Sequence, residues 1–142
     1  MSVLELLKSD VSEQPHTLHS ELDYWAGKLE VGLPRFEARE QPPCDVSHPG
    51  IAVNMDACIQ CTRCVRACRD EQNNDVIGLA MRGSHASIVF DLDDPMGDST
   101  CVACGECVEA CPTGALMPAN DVGMAEPDRK VDSVRIMAWV VS

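Results

Sequence analysis

Eight of the nine cysteines fall into two frames of identical spacing. They are Cys58-x2-Cys61-x2-Cys64-x3-Cys68 and Cys101-x2-Cys104-x2-Cys107-x3-Cys111, the second followed at once by Pro112. Three thiolates at a spacing of three, on a loop, wrap three corners of an iron–sulfur cube. The fourth stands where a following helix begins, too far round to close the same cube. A pair of structural zinc sites would want four ligands per ion, usually as two separated pairs and often with His. Here each run is one tight tetrad. Disulfides would need an oxidising compartment that nothing else in the chain supports. A thiolate-ligated cube takes up one electron with little change in geometry, so the chemistry indicated is electron transfer through two [4Fe–4S] clusters. No Ser/His/Asp set, Gly-rich phosphate loop or paired-carboxylate constellation stands out, so no catalytic residue is assigned.

In two-cluster ferredoxins the fourth cysteine of each frame ligates the neighbouring cluster. The expected sets are therefore crossed, with Cys58, Cys61, Cys64 and Cys111 on one cube and Cys101, Cys104, Cys107 and Cys68 on the other. Cys44, in Pro42-Pro43-Cys44-Asp45, reads as a lone thiol in a turn, because one Cys with the distant His16 and His19 cannot enclose a cube. Small residues (Ala103, Gly105, Thr113, Gly114) let backbone amides approach the sulfurs, and such bonds help set cluster potentials. Arg63, Arg66 and Arg69 surround the first frame, whereas Glu106 and Glu109 surround the second. The arginines read either as surface charge or as groups that stabilise added electrons or dock an acidic partner.

Elements must position these frames. Residues 51–118 read as an internal repeat, each half running short strand, Cys-rich loop, short helix, turn, strand. Ile51 to Val53 leads into the first loop, Val65 to Glu71 forms a helix, and Asn73-Asn74-Asp75 turns the chain. Ile77 to Met81 and Ala86 to Phe90 make a hairpin around Gly83-Ser84, and Ala115-Leu116-Met117 is the closing strand. The fold class is α+β, a bacterial two-[4Fe–4S] ferredoxin-like domain with a pseudo-twofold repeat behind an N-terminal helical arm. Residues 1–50 form that arm. Val3, Leu4, Leu6 and Leu7 mark a first helix, and Leu18, Leu22, Trp25 and Leu29 one stripe of a second, ended by Gly32 and Pro34. Pro42, Pro43, Pro49 and Gly50 mark an extended linker. Residues 119–142 form an irregular tail. The acidic stretch Asp91, Asp93, Asp94, Asp98 fails as a calcium loop, because the sixth and twelfth positions from Asp91 are Met96 and Val102 rather than Gly and Glu. It reads as a solvated turn.

Composition excludes several other roles. The chain has 142 residues and a formal charge of −12, whereas neutralising nucleic-acid phosphates requires excess Lys and Arg. Its longest apolar run, Ile136 to Val141, is too short to span a bilayer, and no signal peptide is visible at Met1. A cytoplasmic location is expected. A domain this size normally buries about two-thirds of its unfolded surface. With two Trp, two Phe and one Tyr, something other than large side chains must fill part of the centre.

The run from Val53 through Met117, with Asp56-Ala57-Cys58-Ile59-Gln60-Cys61 and Phe90-Asp91-Leu92-Asp93-Asp94-Pro95-Met96-Gly97, resembles the iron–sulfur region of the large subunit of NAD-dependent, molybdenum- or tungsten-containing formate dehydrogenases. The likeness extends upstream to Val3-Leu4-Glu5-Leu6-Leu7 and Asp45-Val46-Ser47-His48-Pro49, and downstream to Pro127 through Val134. The resemblance implies a relay between a pterin-containing catalytic subunit and a flavin/NAD subunit, and it carries over only at the eight cluster cysteines. Arg69 stands where the ferredoxin ending would place Pro after Cys68. The family's preceding [2Fe–2S] domain and its pterin domain are not in this sequence. After Val134 the family continues with Cys-Pro-Tyr, then Cys or His, then Gly-Val-Gly-Cys-Gln. A codon series for Pro-Tyr-His-Gly-Val-Gly-Cys-Gln read one base later encodes Arg-Ile-Met-Ala-Trp-Val-Val and then Ser, which are residues 135–142. The tail is accordingly expected to be an out-of-frame ending of a split large subunit, not selected to pack. Two functions follow as expectations: an electron-transfer subunit docked to separately encoded partners, or a free diffusible ferredoxin serving several oxidoreductases.

Overall fold

The structure is a computed structural model that describes residues 3–11 and 20–122. The tail from Gly123, including the expected out-of-frame ending, and Leu18, His16 and His19 lie outside the described residues.

Four short strands frame the cysteine loops. Ile51–Val53 (β1) is buried at every position, as a short apolar strand covered on both faces must be. It pairs antiparallel with Leu116–Pro118 (β4), with Ile51 opposite Pro118 and Val53 opposite Leu116. Ile77–Ala80 (β2) pairs antiparallel with Ser87–Phe90 (β3), Ile77 opposite Phe90. Between β1 and β2 run the first Cys loop and the helix Arg63–Arg66, which continues as a π-helical turn over Ala67–Glu71. Between β3 and β4 run the second loop and the helix Glu106–Ala110. The core is built from Ile51, Val53, Ile77, Phe90, Met96 and Leu116, with Cys64, Cys68 and Cys107 buried among them. The thiols thus occupy core volume that large side chains would otherwise fill.

The arm departs from its expected register. Val3–Ser9 (α1) buries Glu5 and Ser9, not its leucines. Glu5 is bound by both Nε and Nη2 of Arg35, at 2.7 and 3.1 Å, and Asp10 by Arg39 Nε at 2.7 Å. Residues 35–39 therefore return over α1 as a strap held by ion pairs. Glu21–Lys28 (α2) is N-capped by Ser20, whose Oγ accepts the Asp23 N–H. Its contact line runs through Leu22 and Ala26, 4% and 1% exposed, while Trp25 and Leu29 are 45% and 60% exposed. Of the expected Leu18–Leu22–Trp25–Leu29 stripe, Leu22 is buried, but Trp25 and Leu29 are not, because the helix stops at Lys28 and the small Ala26 takes the close approach. With Arg63–Arg66 as α3 and Glu106–Ala110 as α4, the start of α2 meets the cysteine region through Glu21. The Glu21 N–H donates to the Pro112 carbonyl at 2.7 Å, and Glu21 pairs with Arg63 at 3.4 Å.

Residues 44–50 are not an extended linker. Asp45 bridges Val53 in antiparallel fashion, its Oδ1 accepts the Ser47 N–H and its Oδ2 the Met96 N–H. The Ser47 Oγ accepts the Gly97 N–H at 2.8 Å. Buried His48 accepts the Gly50 and Ile51 N–H groups on Nδ1, both at 3.1 Å, which makes Nδ1 the unprotonated ring nitrogen. Burial pushes the Asp45 carboxyl up, but hydrogen bonds from Ser47 and Met96, with His48 nearby, hold it below its ordinary range. The segment is a folded hook onto the loop that precedes the second Cys frame. No helix among the described residues is long and apolar enough to cross a membrane.

Candidate functional site

The two Cys loops repeat one backbone pattern. In the first, Gln60 and Thr62 have φ of 55° and 59°; in the second, Ala103 and Gly105, at the same frame positions, have 57° and 81°. Positive φ at these matching positions gives the two loops the same turn, of the kind that can present backbone N–H groups to an anion. The first N–H delivered is visible in both loops: Gln60 N–H to Cys58 Sγ and Ala103 N–H to Cys101 Sγ, each at 3.4 Å. Only Gly105 takes this conformation at no steric cost. Thr62, β-branched, pays for it in strain.

Four of the predicted ligands, Cys58, Cys61, Cys64 and Cys111, line one cavity, together with Ile88 and Thr113. Burial, with Cys58, Cys111 and Cys61 acting in the same direction, pushes the Cys64 thiol up to about 12. Cys58 is also raised by burial, against the pull of the Gln60 amide. The Cys107 thiol is likewise driven to about 12 by burial, with Cys101, Cys104 and Cys68 as its thiol neighbours. Cys68 is buried and accepts the Val76 N–H at 3.4 Å, whereas Cys104 is exposed and takes Asn74 Nδ2 at 4.0 Å. A ring of soft thiols, aimed inward and met by amide donors, suits an iron–sulfur cube. Among the described residues no group of three or more His, Cys, Asp or Glu is gathered closely enough for a single ion.

Cys44 is largely exposed, and partial covering of its thiol, with Asp45 and Asp56 nearby, raises its pKa; it is not among the residues lining the cavity. Two of the three arginines around the first frame have carboxylate partners, and Arg66 is exposed. Arg63 is paired with Glu21, and Arg69 with Asp75 at 2.6 Å, both on the surface. Asp91 is not a merely solvated turn residue, since its carboxylate accepts the Thr100 N–H at 2.6 Å and the Thr100 hydroxyl at 3.0 Å, immediately before Cys101. Gln60 reaches from the first loop to the Ala86 carbonyl of the hairpin. The roles of Gln60, Asn74, Val76 and Asp91 had no sequence signal beyond turn-forming composition.

A ferredoxin-like domain of the iron–sulfur-binding class is what this arrangement of strands and thiol loops defines. Residues 48–117 match the family described as NADH-quinone oxidoreductase subunit 3, ferredoxin-like domain. The chain is similar to a protein named "Putative formate dehydrogenase" from Staphylococcus haemolyticus, 32% identical over 108 residues. Its counterpart in Staphylococcus aureus has the same identity over the same length. Each match covers 76% of this chain and 11% of the relative, so the chain spans about a tenth of the length of these curated relatives. Among solved structures it resembles an NAD+-reducing [NiFe]-hydrogenase chain, with a TM-score of 0.71 and 23% identity, over 81% of this chain and 51% of that one. That likeness shows the fold.

Proposed function

We propose that the chain is an electron-transfer segment holding two [4Fe–4S] clusters on crossed cysteine sets, within a formate dehydrogenase-like complex. The observation that carries this reading is the company each fourth cysteine keeps. Cys111 borders the cavity of Cys58, Cys61 and Cys64, and Cys68 is a neighbour of Cys107 alongside Cys101 and Cys104. The element order supports a pseudo-twofold repeat, since β1–loop–α3–β2 and β3–loop–α4–β4 run in parallel sequence and carry the same left-handed positions. Bound cubes supply reversible one-electron chemistry without change of ligands. The chain's own residues hold the thiolates at fixed positions, direct amides onto Cys58, Cys101 and Cys68, and keep Cys64, Cys68 and Cys107 away from water.

The three-part organisation, with an arm at 1–50, the cluster domain at 51–118 and a tail at 119–142, belongs to the same reading. So do a cytoplasmic location and docking to a pterin-containing catalytic subunit and a flavin/NAD subunit. The arm favours docking over a freely diffusing carrier. It hides Glu5, Ser9 and Asp10 in ion pairs and hydrogen bonds while Val3, Trp25, Leu29 and Leu33 stand exposed, the inverse of a surface made for water alone. The test is anaerobic purification from the native cell. A brown protein that co-elutes with pterin- and flavin-containing chains, and whose visible absorption bleaches with formate in that complex, is expected. A colourless protein after iron and sulfide reconstitution would overturn the cluster reading, and a brown protein that elutes alone would favour the diffusible carrier.

A further inference from the structure

Resting on the two-cluster reading, we infer that Thr113 is a positioning residue that tunes one cluster through its ligand Cys111. Thr113 is 1% exposed and borders the cavity of the first thiol set. Its Oγ1 lies 3.9 Å from Cys111 Sγ, within reach of a hydrogen bond to sulfur. Between a free thiol and a hydroxyl either group can donate. A sulfur bound to iron carries no proton, so in the loaded protein the hydroxyl is the donor and the thiolate the acceptor. The local chain keeps it there: Gly114 turns at φ 71°, and the Ala115 carbonyl accepts the Asn54 N–H at 2.7 Å.

The contact has no counterpart in the other set. The residue two beyond Cys68 is Asp70, which is exposed, and Cys68 instead takes a backbone N–H from Val76. Asn74, half-buried, reaches Cys104 at 4.0 Å, but Cys104 is exposed and water replaces a lost amide there. Thr113 thus gives the first set a buried hydroxyl donor to a fourth-cysteine sulfur that the second set lacks. Adding one electron raises negative charge on the ligand sulfurs, and a donor pointed at one of them favours the reduced form. The low dielectric of a buried site magnifies the effect.

The experiment is an EPR-monitored redox titration of the iron-loaded chain, with iron and sulfide counted for each variant. In Thr113→Val one midpoint moves to lower potential and the other stays, while Thr113→Ser keeps both near the parent values. Thr113→Ala, which removes the hydroxyl without adding a methyl against the cavity, carries the same expectation where Thr113→Val loads poorly. Unchanged midpoints in any fully loaded variant without the hydroxyl would overturn the inference and leave the two-cluster reading intact. Failure of the parent chain to take up iron would instead overturn that reading.

Discussion

Replacing Gly97 with Ala tests whether the hook at residues 45–48 holds the second Cys loop. A Cβ at this position would lie 2.6 Å from the Ser47 carbonyl oxygen, 2.7 Å from its carbon and 2.8 Å from its Oγ. The first two are backbone atoms and cannot swing aside, so the hook must lift. Lifting it breaks the Gly97 N–H bond to Ser47 and the 2.7 Å bond from the Met96 N–H to the Asp45 carboxylate. A charge-assisted hydrogen bond contributes about 1.5–3 kcal/mol and a neutral exposed one about 0.5–1, giving roughly 2–4 kcal/mol in all. For a chain of this length that is roughly 6–20 °C in melting temperature. The assay is thermal unfolding of the iron-loaded chain, paired with amide exchange at Met96 and Gly97. Ser47→Ala, which removes only the neutral bond, should cost about 0.5–1 kcal/mol. Asp45 is held below its ordinary range, so its contribution is present above the unfolded carboxylate pKa and is lost as pH falls through the folded one. The gap between parent and Asp45→Asn should close in acid. A Gly97→Ala chain with the parent's melting temperature and unchanged exchange would refute the reasoning.

Other outcomes follow from the same structure. Thr62→Gly should stabilise the first loop and Gly105→Ala destabilise the second, each by about 1 kcal/mol, because a left-handed β-branched residue is strained and no atom lies within 4 Å of a Cβ at Gly105. Equal and negligible effects in chemical denaturation would remove backbone strain from the account. Leu22→Ala should cost about 2–5 kcal/mol while Leu29→Ala stays within about 0.5, which checks the revised face of α2. The thiols of Cys64 and Cys107, pushed up to about 12 by burial, must lose protons to bind iron. Iron uptake by the apo chain should therefore release protons and quicken as pH rises, and chelation under reducing conditions should abolish the cooperative melting transition. An apo chain that melts as the loaded one does would separate folding from metal.

The strands were legible because short apolar runs bounded by Asn, Asp and Gly leave few alternatives: β1, the hairpin and β4 lie within about one residue of their expected bounds. The loops were legible from cysteine spacing alone, but their conformation was not. Gln60, Thr62 and Ala103 are left-handed without being Gly, and strain of that kind has no compositional mark. The arm was misread because periodicity assumes that apolar residues face inward. Here an ion pair from Arg35, thirty residues away along the chain, buries Glu5 instead. The hook was invisible for a similar reason: Ser47 and Gly97 are ordinary residues until the fold brings them together. Likewise, spacing leaves Arg63 and Arg69 open between surface charge and a role at the cluster, because their partners Glu21 and Asp75 carry no mark in the sequence.

Crossed ligation is the central claim, and single-cysteine substitutions followed by iron analysis and EPR of the dithionite-reduced chain test it most directly. The parent chain should bind about eight irons. Cys111→Ala and Cys58→Ala should perturb one and the same cluster signal, and Cys68→Ala and Cys101→Ala the other. A Cys68→Ala chain that loses the signal lost in Cys58→Ala, with the signal lost in Cys101→Ala intact, would contradict it.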